Sequence, residues 1–188
     1  MPGPVRVLAV SGSLRAGGSN NAVLDAARLL APDGVAVVRY AGLRALPAFD
    51  PDLDDPGGDA LPPEAADLRA SVGRADAVLI SSPEYAHGIP GALKNALDWL
   101  VGSVEFPGKP VALLNTSPWS VHVPAQLAEV LTTMNARLVS DASATVPLLG
   151  RPLDGAGVAA DPELAALVRG AVAALARAAA RPGAGGDA

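Results

Sequence analysis

Short apolar runs recur along this 188-residue chain at 5–10, 35–40, 77–81 and 111–115, with a fifth candidate strand at 138–145. The first four are nearly continuous in apolar residues. That pattern predicts strands buried on both faces, as in a parallel sheet, rather than strands with one wet side. Between the runs lie stripes at helical spacing: Val23, Ala26, Ala27 and Leu30; Leu93, Ala96, Leu97 and Leu100; Leu127, Val130, Leu131 and Met134; Leu164, Leu167, Val168 and Ala171. Ala65, Leu68 and Val72 supply a weaker stripe before the third run. Pro62-Pro63, Pro124 and Pro162 fall where first-turn prolines belong, and Asp161 is placed to cap the last helix. Repeated strand–helix units cross over right-handedly and cover both sheet faces. The expected fold is therefore α/β, a three-layer sandwich around a five-stranded parallel sheet of order 2-1-3-4-5. Residues 1–180 read as one domain, and 181–188 (RPGAGGDA) as a disordered tail.

Composition removes several classes of function. A net charge of −5 without a basic run argues against a nucleic-acid partner. The absence of cysteine excludes disulfides, thiolate metal sites and a Cys nucleophile. His87 and His122 stand far apart in sequence with no evident cluster of carboxylates, so no metal site is expected. No apolar run approaches the ~20 residues that span a bilayer. The chain enters its first strand without a charged and apolar leader, so a cytoplasmic protein is expected, with no membrane partner.

The loop after the first strand reads Ser11-Gly12-Ser13-Leu14-Arg15-Ala16-Gly17-Gly18-Ser19-Asn20, with a helix from about Asn21. A strand feeding a glycine- and serine-rich turn and then a helix aims backbone N–H groups at one point, on the positive end of the helix dipole. Ser11, Ser13 and Ser19 add hydroxyls, Arg15 a guanidinium and Asn20 an amide. These donors suit phosphate oxygens, and the turn holds no acid to repel them. It is expected to cradle one phosphate group.

The third strand ends in a second turn-rich loop, Ser81-Ser82-Pro83-Glu84-Tyr85-Ala86-His87-Gly88-Ile89-Pro90-Gly91. In a 2-1-3-4-5 sheet the first and third strands are neighbours whose connections leave to opposite faces, and ligands bind in that crevice. A planar heterocycle carrying one phosphate fits both loops, with the ring against Tyr85. Residues 12–20 (GSLR-x-x-x-SN) and 83–100 (PEYAHGIPGALKNALDWL) together resemble the NADPH-dependent FMN reductase family, over roughly residues 4–145. The resemblance implies a flavodoxin-like fold, bound FMN, and electron transfer from NADPH or NADH to a small acceptor such as a quinone, flavin, chromate or azo compound. It places Ser11, Ser13, Leu14, Arg15, Ser19 and Asn20 at the phosphate, and Pro83, Glu84, Tyr85, Ala86 and His87 along the ring. Thr116 and Ser117, after the fourth strand, are placed to donate to ring carbonyls, although the bulky Trp119 stands where close backbone approach is expected. The cofactor carries the chemistry, and no catalytic residue of the chain is required.

Two other readings use the same residues. An electron carrier of flavodoxin type would meet a protein partner through the acidic stretch 50–59, and a domain without flavin would bind another phosphorylated ligand. Gly108-Lys109 lacks the preceding glycine of a P-loop, and no GxGxxG follows the first strand, so Rossmann-style dinucleotide binding is disfavoured. Trp99 lies off the Leu93/Leu97/Leu100 stripe, which suggests a subunit contact and hence a homodimer or homotetramer; packing beneath the acidic loop is the alternative.

Overall fold

A computed structural model describes residues 3–54 and 60–180. The expected tail at 181–188 and the centre of the acidic loop lie outside the described residues. The strands are β1 (Val5–Ser11), β2 (Val35–Arg39), β3 (Ala77–Ser81), β4 (Pro110–Asn115), β5 (Arg137–Leu138) and β6 (Ala144–Thr145). The helices are α1 (Ser19–Leu29), α2 (Pro63–Gly73), α3 (Gly91–Val101), α4 (His122–Thr133), α5 (Gly155–Ala160) and α6 (Pro162–Ala180). All strand pairs are parallel in the order β2-β1-β3-β4-β5, with β6 also pairing β4.

The sheet divides the apolar residues into two cores because successive strand residues face opposite sides. Val7, Ala9, Ala77, Leu79, Ala112 and Leu114 pack beneath α1, α5 and α6. Leu8, Val10, Val78, Ile80 and Val111 pack beneath α2, α3 and α4. Apolar residues on both faces of β1, β3 and β4 are what a doubly covered parallel sheet needs, and they account for the lack of polar alternation.

Three details depart from the sequence expectation. The fifth strand is interrupted: a 3₁₀ turn at Ser140–Ala142 separates β5 from β6, and both halves pair β4. Ser143 compensates at the break, its Oγ accepting from Leu113 N–H and donating to the Val139 carbonyl. A short extra helix, α5, packs on α1 where a Cβ on Gly155 would lie 2.6 Å from Asp25 Cβ, so only glycine permits that approach. Trp99 is fully buried, donating Nε1–H to the Pro47 carbonyl and meeting Phe49 edge-on at a 5.0 Å centroid distance. Arg69 adds an ion pair to Asp54 and a bond to the Trp99 carbonyl. Trp99 thus packs inside the chain beneath the 47–54 segment, and it gives no reason to expect a subunit contact.

Asp161 caps α6 as expected, accepting from the Glu163 and Leu164 N–H groups and pairing with Arg151. The Leu164 N–H and Arg151 bonds hold its carboxyl below the usual aspartate range. A depressed folded-state value stabilises the fold above the unfolded value and loses that contribution as pH falls through the folded one. Asp161→Ala is therefore expected to lower the urea midpoint at neutral pH. The gap to the parent should close as pH falls below about 3.9, the ordinary aspartate value.

Candidate functional site

Three loops leave the carboxyl edge of the sheet together, after β1, β3 and β4. The first is clamped from behind. Asn21 Nδ2 donates to the carbonyls of Arg15 (2.5 Å) and Ala16 (3.1 Å), while Arg39 holds Asn21 Oδ1 (2.6 Å) and Asp25 (2.9 Å). Arg44 donates to the Leu14 carbonyl at 2.6 Å. Within the loop, Ser11 Oγ accepts from Ser13 N–H and Ser13 Oγ accepts from Arg15 N–H, two successive hydroxyl turns. With its carbonyls taken by Asn21 and Arg44, the loop is held at three consecutive residues.

Helix α1 begins at Ser19, two residues earlier than the sequence suggests, so Ser19, Asn20 and Asn21 form its first turn. Gly18 at the cap position offers no side chain, and no acid lies in the first turn. The first-turn N–H groups have no intrahelical partners, and the dipole adds positive charge there. Arg15 is exposed, with no side-chain hydrogen bond or ion pair among the described residues. A cleft of about 330 Å³ opens on the α5 side of this start, lined by Gly18, Ser19 and Arg151 together with Asp25 and Asp154 and not by Arg15. An uncapped helix start with free donors and a free guanidinium nearby fits a phosphate group.

Other residues expected at the phosphate turn inward. Asn20 is only 5% exposed, and its Oδ1 accepts from Ser81 Oγ at 2.8 Å and from Thr116 Oγ1 at 3.4 Å. Ser19 Oγ meets Thr116 Oγ1 at 3.0 Å. These bonds tie the start of α1 to the ends of β3 and β4. Ser11 Oγ is likewise spent inside the loop, on the Ser13 backbone.

The second loop is a tight hairpin. Tyr85 and Gly88 exchange N–H···O bonds of 3.2 and 2.9 Å, and Ala86 and His87 between them have φ of +49° and +59°. Turns of this hand favour Asn-Gly. Holding two residues with Cβ atoms there costs energy, a strain that concentrates at functional loops. The Glu84 side chain points to α4, where Oε2 accepts from Ser120 Oγ (2.9 Å), His122 N–H (3.0 Å) and Val123 N–H (3.1 Å). Burial alone would raise its carboxyl, but these bonds and the nearby His122 outweigh it and hold the group low. Gln126 completes the attachment, donating to the His87 carbonyl and accepting from Ile89 N–H. Tyr85 stands 59% exposed at the loop tip.

The third loop is folded on Asn115, whose Nδ2 donates to the carbonyls of Ser117 and Ser120 and whose Oδ1 accepts from Ser117 N–H. Ser117 Oγ accepts from Trp119 N–H. Trp119 is 78% exposed and turned out to solvent, so it does not fill the crevice. Sequence reasoning missed the bracing by Asn21, Arg39, Arg44 and Gln126; their partners are backbone carbonyls and distant side chains that no local motif displays.

Residues 5–148 match the NADPH-dependent FMN reductase family, a span that contains all three loops. The chain belongs to that family. Its similarities include the NAD(P)H-dependent FMN reductase PA1204 of Pseudomonas aeruginosa, 38% identical over 119 residues, which are 62% of each chain. The chain thus spans less than two thirds of that relative's length. The quinone reductase of Escherichia coli K12 is 33% identical over 142 residues, 72% of this chain and 74% of its own. Among solved structures, the flavoenzyme NAD(P)H:(acceptor) oxidoreductase FerB of Paracoccus denitrificans superposes with a TM-score of 0.73 at 25% identity. That match covers 93% of this chain and 97% of FerB. The fold is the flavodoxin-like sandwich that the resemblance implied, with the sheet order expected from the alternating runs.

The strained hairpin gives a prediction. Ala86→Gly removes the left-handed penalty of about 1–2 kcal/mol but adds about 0.5–1 kcal/mol of unfolded-state entropy. The net expected is a gain of about 0.5–1 kcal/mol in unfolding free energy, read from urea denaturation. A loss of stability would show that the backbone there is relaxed.

Proposed function

We propose that this family member is an FMN-dependent NAD(P)H oxidoreductase, formed by one domain over residues 1–180, that passes electrons to a small acceptor. Quinones are the first acceptor class to assay, in line with the E. coli relative's name. The observation that carries the reading is the start of α1, a helix end with no side-chain cap, next to an Arg15 that has no side-chain partner among the described residues. FMN, when bound, supplies the chemistry by taking a hydride from the nicotinamide and yielding electrons to the acceptor.

The chain's own residues position it. Arg15, the Ser13 hydroxyl hydrogen and the first-turn N–H groups of Ser19, Asn20 and Asn21 hold the phosphate, with Leu14 as the flank of the loop. Ser11, Asn20 and Thr116 act through the scaffold, since their side-chain oxygens are engaged within and between the loops. Pro83, Glu84, Tyr85, Ala86 and His87 border the ring through a backbone fixed on α4, and Ser117 lines the opposite loop. No side chain is assigned an acid–base role. No described helix is long and apolar enough to cross a bilayer.

The test is a visible spectrum of the protein reconstituted with FMN, then bleaching by NADPH or NADH without added protein. Arg15→Ala is expected to raise the FMN dissociation constant about 10–150-fold, the equivalent of a charge-assisted hydrogen bond worth about 1.5–3 kcal/mol. Wild-type affinity in Arg15→Ala would overturn the phosphate assignment. A chain that takes up no flavin would overturn the whole reading.

A further inference from the structure

Beside the loop that closes on α4, three potential metal ligands meet. One ligand atom each from Glu84, His87 and His122 lies within 4.8 Å of the others. The two imidazoles are stacked, with ring centroids 4.2 Å apart and planes inclined by 22°. Both histidines are exposed, and Glu84 is half-buried. Glu84 and His87 come from the hairpin after β3, whereas His122 opens α4 after β4, so the trio exists only through the fold.

We propose that Glu84, His87 and His122 form a binding site for a late first-row divalent cation such as Zn²⁺, which pins the hairpin to α4. Imidazole and carboxylate are ligands of these ions, and two histidines with one carboxylate leave a further position for water. Ligand atoms around a tetrahedral zinc stand ~3.3 Å apart, given bonds of about 2.0–2.1 Å, so the trio has to contract by ~1.5 Å at most. Side-chain rotation supplies that, because both imidazoles are free to turn on the surface.

The carboxylate is already aimed. Its Oε2 is pinned by Ser120 Oγ and the His122 and Val123 N–H groups, and Oε1 carries no hydrogen bond among the described residues. Outer hydrogen bonds of this kind fix the orientation of a metal ligand before the ion arrives. The hairpin is also held at the correct distance, since Gln126 grips the His87 carbonyl and Ile89 N–H. The site shares its loop with the flavin reading, but that reading uses the backbone of residues 83–87, whereas the Glu84 side chain leaves the loop toward α4.

The experiment is a calorimetric titration of zinc chloride into the full chain, both flavin-free and reconstituted with FMN. One ion per chain is expected to bind in each form. His122→Asn keeps the backbone N–H that Glu84 uses, and Glu84→Gln keeps an oxygen for the helix cap. Each is expected to weaken zinc binding by about tenfold or more. With Cu²⁺ as the probe, the EPR spectrum of the parent chain should show coupling to two nitrogens, and that of His122→Asn to one. No zinc uptake at micromolar concentrations overturns the proposal, as does parent-like affinity in either variant. A folded variant is verified by its unchanged far-UV circular dichroism, so lost binding cannot be mistaken for lost structure.

Discussion

The site depends on how closely β1 and β3 approach at their carboxyl ends. Gly12 N–H donates to the Ser81 carbonyl at 2.8 Å, and a Cβ on Gly12 would fall 2.4 Å from Ser82 Oγ. A side chain at that position would wedge the two strands apart just where their loops diverge. Asn20 closes the same junction from above, with its buried oxygen serving hydroxyls from two other loops. A buried amide left without these partners costs about 1–3 kcal/mol, so Ser81 and Thr116 are tied to Asn20 as a unit. From this junction three connections depart in fixed directions.

Around it, polar side chains divide into those that hold the backbone and those that stay free. Asn21, Arg39, Arg44 and Gln126 bind carbonyls or neighbouring side chains, and they immobilise loops that the sheet alone would leave loose. Arg15 and the first-turn amides keep their donors. Rigid loops with unspent donors lose little freedom when a ligand arrives, which is how preorganisation favours binding.

Much of this was legible from the residues. Strands β1 to β4 announce themselves because burial on both faces leaves no room for polar alternation, and the sheet order found is one that right-handed crossovers allow. The loop after β1 is legible because phosphate chemistry needs particular donors close together in sequence. The fifth strand was legible in place but not its interruption, which is set by Ser143 and by packing of Ala142 in the core under α6. Trp99, off the main stripe, pointed to a second buried face; the structure fills that face with the 47–54 segment folding over α3, the alternative to the subunit contact. The stacked His87 and His122 could not be foreseen, as only the convergence of two crossovers brings them together.

Helices α1 and α4 both begin at the same rim of the sheet, yet they end up electrically unlike. Glu84 quenches the positive pole of α4 from within the chain, while that of α1 is left open. Of these two helix starts, only that of α1 keeps its field for an anionic group arriving from outside.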